Sequence, residues 1–192
     1  DIICMAIEIS GYTLGKDVSI ALDIAASSFY DKKTNKYKIN NKMLTSDKLI
    51  ELYLKLIKKY PIISIEDPFD ENDFIAFKKF TSLVNIQVVG DDLFTTSSAL
   101  LQKGIDEKMC NAILLKANQI GTITEMINTI NLAKENNYKT IISHRSGETE
   151  DTFIADFAVG LNLGQIKTGS MSRGERICKY NRLLRIEEEL NN

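Results

Sequence analysis

The most constraining feature of this sequence is a formula that recurs along the chain, in which a short apolar stretch ends in a polar residue and a helix-like segment follows. The six stretches end at Asp23, Glu66, Asp91, Lys116, His144 and Lys167. These positions are 43 residues apart and then 25, 25, 28 and 23. Intervals near 25 residues suit one strand followed by one helix. The long first interval contains residues 29–40, whose polar centre predicts a small exposed hairpin.

The apolar stretches have the pattern of buried parallel strands. Residues 18–25 and 62–65 are almost continuously hydrophobic, as strands are when helices cover both faces of a parallel sheet. We predict an α/β fold, and within it a partial (β/α)8 barrel of TIM type with about six βα units, the first two strands lying upstream. A doubly wound open sheet is the alternative. The barrel is favoured because it brings every strand's carboxyl end to one face, where active sites lie.

Composition narrows the class of protein. The 192 residues are 44% hydrophobic with a formal net charge of −2, which is enough for a core and lacks the basic footprint of a nucleic-acid binder. No apolar run approaches the roughly 20 residues of a transmembrane helix. Cys4, Cys110 and Cys178 are too few and too widely spaced for a disulfide framework, which predicts reduced thiols in a cytoplasmic protein. The start at Asp1 is interpreted as the interior of a longer protein.

Three successive strand ends carry the carboxylates Asp23, Glu66 and Asp91. Three anions brought together repel one another unless they are protonated or neutralised by a cation. Oxygen ligands suit a hard ion, and Mg²⁺ is the natural choice for a site that also takes substrate and water. For any single carboxylate the alternative is a solvated acid or a helix cap. The neighbouring Asp67 and Asp92 are interpreted as supporting or structural residues.

The later strand ends carry basic residues. Lys116 is expected in the barrel mouth, where a partly desolvated lysine gives up its proton more readily and can act as a general base. The alternative for Lys116 is a salt bridge with one of the carboxylates. Lys167 is interpreted as a permanent cation that binds a substrate carboxylate.

The loop of residues 143–152 contains the only histidine of the chain. Arg145 offers a planar fork and Ser146 a hydroxyl, a combination suited to phosphate. The alternative for His144 is a structural role, but its place between Ser143 and Arg145 favours contact with substrate. Acidic and hydroxyl residues near Thr152 are expected to cap the next helix. A metal, a lysine base and a phosphate clamp together predict proton abstraction next to a carboxylate.

Longer motifs around these residues resemble the enolase (phosphopyruvate hydratase) family, in its bacterial type. The similarity runs from about residue 17 to the end, and its motifs are long and occur in order. They are Ala21-Leu22-Asp23, Ser64-Ile65-Glu66-Asp67-Pro68, Val89-Gly90-Asp91-Asp92-Leu93, residues 114–122, residues 143–155, residues 164–169 and residues 183–190.

The resemblance implies a glycolytic hydro-lyase that interconverts 2-phosphoglycerate and phosphoenolpyruvate. It implies a role for each strand end, with Lys116 as the base that removes the C2 proton. The implied Mg²⁺ ligands are Asp23, Glu66 and Asp91, and the implied substrate contacts are Lys116, Ser143, His144, Arg145, Ser146, Lys167, Glu66 and Asp91. A second Mg²⁺, a homodimer and a cytoplasmic location are also implied, although members of the family occur at the cell surface or secreted as well.

Family members also have an N-terminal α+β domain, two earlier barrel strands and a glutamate general acid, none of which can be placed in this sequence. We therefore expect residues 1–192 to form a portion of the C-terminal catalytic barrel domain that is inactive and poorly stable by itself, because its strand edges are open. A non-catalytic binding or scaffold role is one alternative, and the presence of Lys116 with the three carboxylates speaks against it. Another enolase-superfamily enzyme is the second, and the Arg145–Ser146 pair speaks against it.

Overall fold

The computed structural model describes all residues from 1 to 192, which form two compact units. The first unit comprises Asp1–Leu93 with Gly104–Asn111, and the second comprises Phe94–Lys103 with Ala112–Asn192. In chain order the elements up to β6 are α1 (Ile2–Ile9), β1 (Ile20–Asp23), a 3-10 helix (Ala26–Phe29), β2 (Tyr30–Asp31), β3 (Lys36–Ile39), β4 (Lys42–Leu44), α2 (Ser46–Lys59), β5 (Ile62–Glu66), α3 (Phe74–Leu83) and β6 (Gln87–Gly90). The remaining elements are α4 (Ser98–Glu107), β7 (Ala112–Leu115), α5 (Ala117–Ile120), α6 (Ile123–Glu135), β8 (Lys139–Ser143), α7 (Phe153–Gly160), β9 (Ile166–Lys167) and α8 (Gly174–Asn191).

In the first unit, β1, β5 and β6 form parallel neighbours in that order. Phe69, which lies just beyond β5, is fully buried at the centre of an aromatic cluster. Its ring centroid lies 5.9 Å from that of Tyr53, 5.5 Å from Phe77 and 5.7 Å from Phe80, each in edge-to-face geometry. Such pairs stabilise a core beyond the area they bury. The cluster packs helices α2 and α3 around the end of β5 and so supports the loop that follows Glu66.

The hairpin expected at residues 29–40 is a three-stranded antiparallel meander, since β4 adds a strand that the sequence pattern did not reveal. It is also less exposed than predicted, because Tyr37 of β3 is fully buried. The Tyr37 hydroxyl donates to Asp73 Oδ2 at 2.9 Å and accepts from the Asp70 backbone N–H at 3.0 Å. Burial raises the pKa of Tyr37 well above its usual range. The meander is therefore anchored to the loop between β5 and α3.

In the second unit, β7, β8 and β9 are parallel neighbours in that order. The strand predicted to end at Lys116 ends one residue earlier, at Leu115, because the short helix α5 begins at Ala117; the residue that caps this helix, Gly121, has φ +97°. Thr122 caps α6, with its Oγ1 accepting from the Glu125 N–H at 3.2 Å. Each unit thus alternates parallel strands with helices, as expected for an α/β fold. None of the helices has the length and apolar character needed to cross a membrane.

Candidate active site

The carboxyl edge of the first unit's sheet carries the predicted acidic residues. Asp23 and Glu66 are the last residues of β1 and β5 and are register partners, so their side chains lie next to each other on one face of the sheet. Asp91 follows β6, two positions beyond Val89, which is the register partner of Glu66. Glu66 and Asp91 are only 6% and 8% exposed, whereas Asp23 is exposed. The register therefore brings the three strand ends together along one edge.

Asp67 holds the loop that contains Asp91. Its Oδ1 accepts from the Asp91 backbone N–H at 2.9 Å and its Oδ2 accepts from the Asp92 backbone N–H at 2.8 Å. Burial raises the pKa of the Asp67 carboxyl to about 7, although these two hydrogen bonds act in the opposite direction. Asp67 also has φ +41° immediately before Pro68, a conformation that residues preceding proline rarely adopt. These contacts match the supporting role expected for Asp67.

The acidic edge has the chemistry of a site for a hard divalent cation. Asp23, Glu66 and Asp91 offer only carboxylate oxygens, the ligands that such ions prefer. Burying carboxylates such as Glu66 and Asp91 away from water is costly unless positive charge compensates it. One carboxylate oxygen from each of Asp67, Asp91 and Asp92 also fits within a 4.8 Å cluster. Both Asp67 oxygens already accept backbone N–H groups, so Asp67 supports the loop that contains Asp91 and Asp92.

The carboxyl edge of the second unit's sheet carries the predicted basic residues in one row. Leu115 is the register partner of Ile142, which is the partner of Ile166. The residues that follow Leu115, Ile142 and Ile166 are Lys116, Ser143 and Lys167. Ser143 and Lys167 are also register partners. Ser143 is buried, while both lysines are half-buried. Half-burial next to a sheet edge is a suitable environment for groups that contact a substrate anion.

Lys116 is anchored through Thr96, which is fully buried. The Lys116 backbone N–H donates to Thr96 Oγ1 at 2.9 Å, and the same hydroxyl donates to Gln119 Oε1 at 2.7 Å. The Thr96 carbonyl accepts from the Thr129 hydroxyl at 2.9 Å, which connects this anchor to α6. Thr95 and Thr96 both have left-handed backbones, with φ +45° and +61°, which β-branched residues rarely adopt. Strain of this kind is held at functional sites by surrounding contacts.

Two basic side chains of α8 donate hydrogen bonds to the backbone of the loop after β8. Arg176 donates to the carbonyls of Arg145 at 2.8 Å and Ser146 at 3.1 Å. Lys179 donates to the carbonyls of Thr149 and of Glu175. Arg176 is 9% exposed and Lys179 only 1% exposed, so the loop backbone replaces water for both cations. This network orders a loop that has no regular secondary structure.

Arg145 and Ser146, the predicted phosphate contacts, are exposed at the tip of this loop. The Arg145 guanidinium donates to Asn118 Oδ1 at 2.6 Å, and its backbone N–H donates to Glu148 Oε2 at 3.2 Å. The predicted helix cap is present but comes from Asp151, whose Oδ1 accepts from the Phe153 N–H at 2.7 Å. Thr152 makes no such contact. The loop therefore exposes the Arg145 guanidinium and the Ser146 hydroxyl, while hydrogen bonds hold its backbone in place.

Sequence reasoning missed Thr96, Arg176 and Lys179. A signal for the last two was present, because Arg176, Lys179 and Ile186 share the buried face of α8. Basic residues on the apolar face of a helix indicate a buried polar partner, since an unpaired charge there is costly. Thr96 gave no comparable signal, because its role depends on the unusual backbone of its loop.

A family model and two curated proteins match this chain along its whole length. The sequence model of the family described as "Enolase, C-terminal TIM barrel domain" matches residues 1–192. Two curated proteins named Enolase, from Ehrlichia ruminantium strains Gardel and Welgevonden, are each 54% identical to the chain. Each alignment covers 100% of the chain and 45% of the relative, so the chain spans somewhat less than half the length of these relatives.

The family match also decides between the two fold classes considered from the sequence. It confirms the predicted α/β barrel of TIM type over the doubly wound sheet. It covers all six polar strand ends and the loop after β8. The chain therefore belongs to the enolase family, within the part of it that forms the C-terminal TIM barrel domain.

Proposed function

We propose that the protein is a lyase that interconverts 2-phosphoglycerate and phosphoenolpyruvate with the help of Mg²⁺. The observation that carries this proposal is the row of Lys116, Ser143 and Lys167 at the carboxyl edge of β7, β8 and β9. This row places the half-buried Lys116 and a second cation, Lys167, along one sheet edge in a chain that belongs to the enolase family.

Lys116 is the proposed base. Its amine takes the C2 proton of the substrate onto Nζ, a transfer that requires the side chain to be held within hydrogen-bonding distance of that carbon's proton. The Thr96 hydroxyl supports this role, because it fixes the Lys116 backbone at the point where β7 ends and α5 begins. Correct placement of a reacting group contributes a large part of the rate enhancement of an enzyme.

The remaining basic-edge residues are proposed to hold the substrate. Lys167 binds the substrate carboxylate, while Arg145 and Ser146 bind the phosphate, for which an arginine fork and a hydroxyl are well suited. Ser143 and His144 complete this substrate loop. The support for Arg145 is its exposure on a loop whose backbone Arg176 and Lys179 hold in place.

The acidic edge is proposed to be the metal site. Asp23, Glu66 and Asp91 would hold Mg²⁺, and Glu66 and Asp91 would also contact the substrate. When bound, the ion supplies positive charge that stabilises the charge developing on the substrate carboxylate. The support for this assignment is the register pairing of Asp23 with Glu66 and the burial of Glu66 and Asp91.

We further propose that residues 1–192 act within one C-terminal catalytic barrel domain of a glycolytic, cytoplasmic homodimer that uses a second Mg²⁺ with its substrate. Gel filtration with light scattering tests the dimer, and a molecular mass equal to one subunit would refute it. No feature of the structure favours a scaffold role or a different carboxylate substrate over the proposed reaction.

The proposed reaction is tested by following the appearance of the phosphoenolpyruvate double bond in the ultraviolet after addition of 2-phosphoglycerate. The complete protein that contains residues 1–192 should be active with Mg²⁺, inactive after chelation with EDTA, and active again when Mg²⁺ is restored. Absence of conversion by the folded complete protein at saturating Mg²⁺ would overturn the proposal. Conversion that continues in EDTA would overturn the metal assignment alone.

A further inference from the structure

Arg176 contacts three consecutive residues of the loop after β8. Its Nη1 lies 2.8 Å from His144 Nδ1 and donates to the Arg145 carbonyl at 2.8 Å, while its Nη2 donates to the Ser146 carbonyl at 3.1 Å. The two hydrogens of Nη1 are thus directed at two different acceptors. Arg176 itself is buried on α8, so its guanidinium has little freedom to turn away.

The contact with the imidazole fixes the position of the ring proton. A guanidinium has five N–H donors and no acceptor, and it stays protonated in proteins. Nδ1 of His144 must therefore accept, which leaves the single proton of the neutral ring on Nε2. A doubly protonated imidazole would place an N–H against the Arg176 N–H and lose this hydrogen bond.

We propose that Arg176 is a positioning residue that locks His144 as the neutral Nε2–H tautomer, so that His144 serves the substrate loop as a hydrogen-bond donor and does not shuttle protons. The identity of the substrate anion rests on the proposed function above. The tautomer and its dependence on Arg176 rest only on the contacts of the second unit.

The groups that face His144 favour the neutral ring. Burial lowers the pKa of His144, and the positive charges of Arg176, Lys167 and Lys179 lower it further, while Glu148 is the one carboxylate that acts in the opposite direction. These groups come from α8, β9 and the loop itself. A neutral ring is thus expected throughout the neutral pH range, where an ordinary histidine of pKa about 6.5 is partly charged.

Gly169 makes room for this contact. A Cβ at position 169 would lie 3.0 Å from Cγ and Cδ of Arg176 and 3.4 Å from Cε1 of His144. The backbone there also has φ +82°, which favours glycine. A side chain at this position would push Arg176 away from the imidazole, so Gly169 provides an independent way to disturb the pair.

The test is a long-range proton–nitrogen NMR spectrum of ¹⁵N-labelled protein over a pH titration, with the His144 signals identified by their loss in His144→Gln. In the unmodified protein we expect Nδ1 to show the shift of an unprotonated acceptor, Nε2 that of an N–H, and a pKa below the ordinary histidine value. In Arg176→Met we expect a mixture of tautomers and a higher pKa. Arg185→Met, an exposed position on the same helix, is the matched control and should leave both unchanged.

Two results would overturn the inference. One is an Nδ1–H tautomer or a charged ring at neutral pH in the unmodified protein, a result that does not depend on any variant folding. The other is a tautomer that is unaffected in both Arg176→Met and Gly169→Ala. Since the spectrum needs no turnover, its outcome is independent of whether the protein converts 2-phosphoglycerate.

Discussion

Replacing Thr96 by valine should weaken both the fold and the chemistry, because one buried hydroxyl connects the loop after β6 with Lys116. Valine keeps the size and β-branching of threonine but removes the acceptor of the Lys116 N–H and the donor to Gln119. The Thr129 hydroxyl bond survives, because it is made to the Thr96 backbone carbonyl. The strained backbone at φ +61° remains, but one of the contacts that hold it in place is lost.

The size of the effect follows from what is left without a partner. A partly buried N–H that loses its acceptor costs about 1–3 kcal/mol, while the half-exposed Gln119 side chain can turn to water and adds little. For a chain of this length that corresponds to a fall in Tm of roughly 2–12 °C. If the Lys116 backbone shifts on the order of 1 Å, kcat should fall by up to about 100-fold.

Thermal unfolding followed by circular dichroism and steady-state turnover of 2-phosphoglycerate measure the two effects. Thr96→Ser is the matched control, since it keeps the hydroxyl and loses a single methyl group, worth about 1 kcal/mol. We expect the serine variant to retain most of kcat and the valine variant to lose it, with KM changed less than kcat. Equal behaviour of the two variants would show that the hydroxyl does not anchor Lys116.

Three further predictions concern charged residues. Lys179→Met should lower the free energy of unfolding by roughly 2–4 kcal/mol in urea titrations, since the Thr149 and Glu175 carbonyls lose a donor and Glu148 loses its ion pair, whereas Lys139→Met on the surface should not. Burial alone would raise the pKa of Glu148, but backbone N–H groups and Lys179 lower this pKa overall. The contribution of Glu148 to stability is therefore present above its unfolded-state pKa, and it is lost as the pH falls through the lower folded-state pKa. Glu148→Gln should therefore flatten the acid side of the stability profile, and an unchanged slope would argue against the pairing. Glu66→Gln should weaken Mg²⁺ binding by more than about tenfold in calorimetric titrations, with exposed Glu71→Gln as control; equal affinities would remove Glu66 from the ligand set.

The strand ends were predictable from the sequence because each obeys a local rule. An apolar stretch of β-forming residues that stops at a polar side chain marks a buried strand and its carboxyl edge. Asp23, Glu66 and Lys167 are indeed the last residues of their strands, and Lys116 comes directly after β7. The caps at Thr45 and Thr122 follow an equally local pattern and are both present.

The residues that were missed act over long sequence separations. Arg176 and Lys179 meet the loop after β8 across about 30 residues, and the direction of a side chain on α8 depends on how that helix packs. The position of the Thr96 hydroxyl depends on the left-handed backbone of Thr95 and Thr96, which no sequence pattern predicts. Tyr37 was assigned to an exposed hairpin, because its buried hydroxyl contacts lie 33 and 36 residues away. Local periodicity carries no information about such partners.

The proposed reaction begins with removal of the C2 proton by Lys116, and the exchange of this proton of 2-phosphoglycerate with solvent measures that step. In D₂O with Mg²⁺, NMR should show deuterium entering C2 with the unmodified protein and with the surface control Lys139→Ala. Lys116→Ala, folded as judged by circular dichroism, should lose exchange by at least about 100-fold. Exchange at the unmodified rate in Lys116→Ala would contradict the assignment of Lys116 and with it the proposed mechanism.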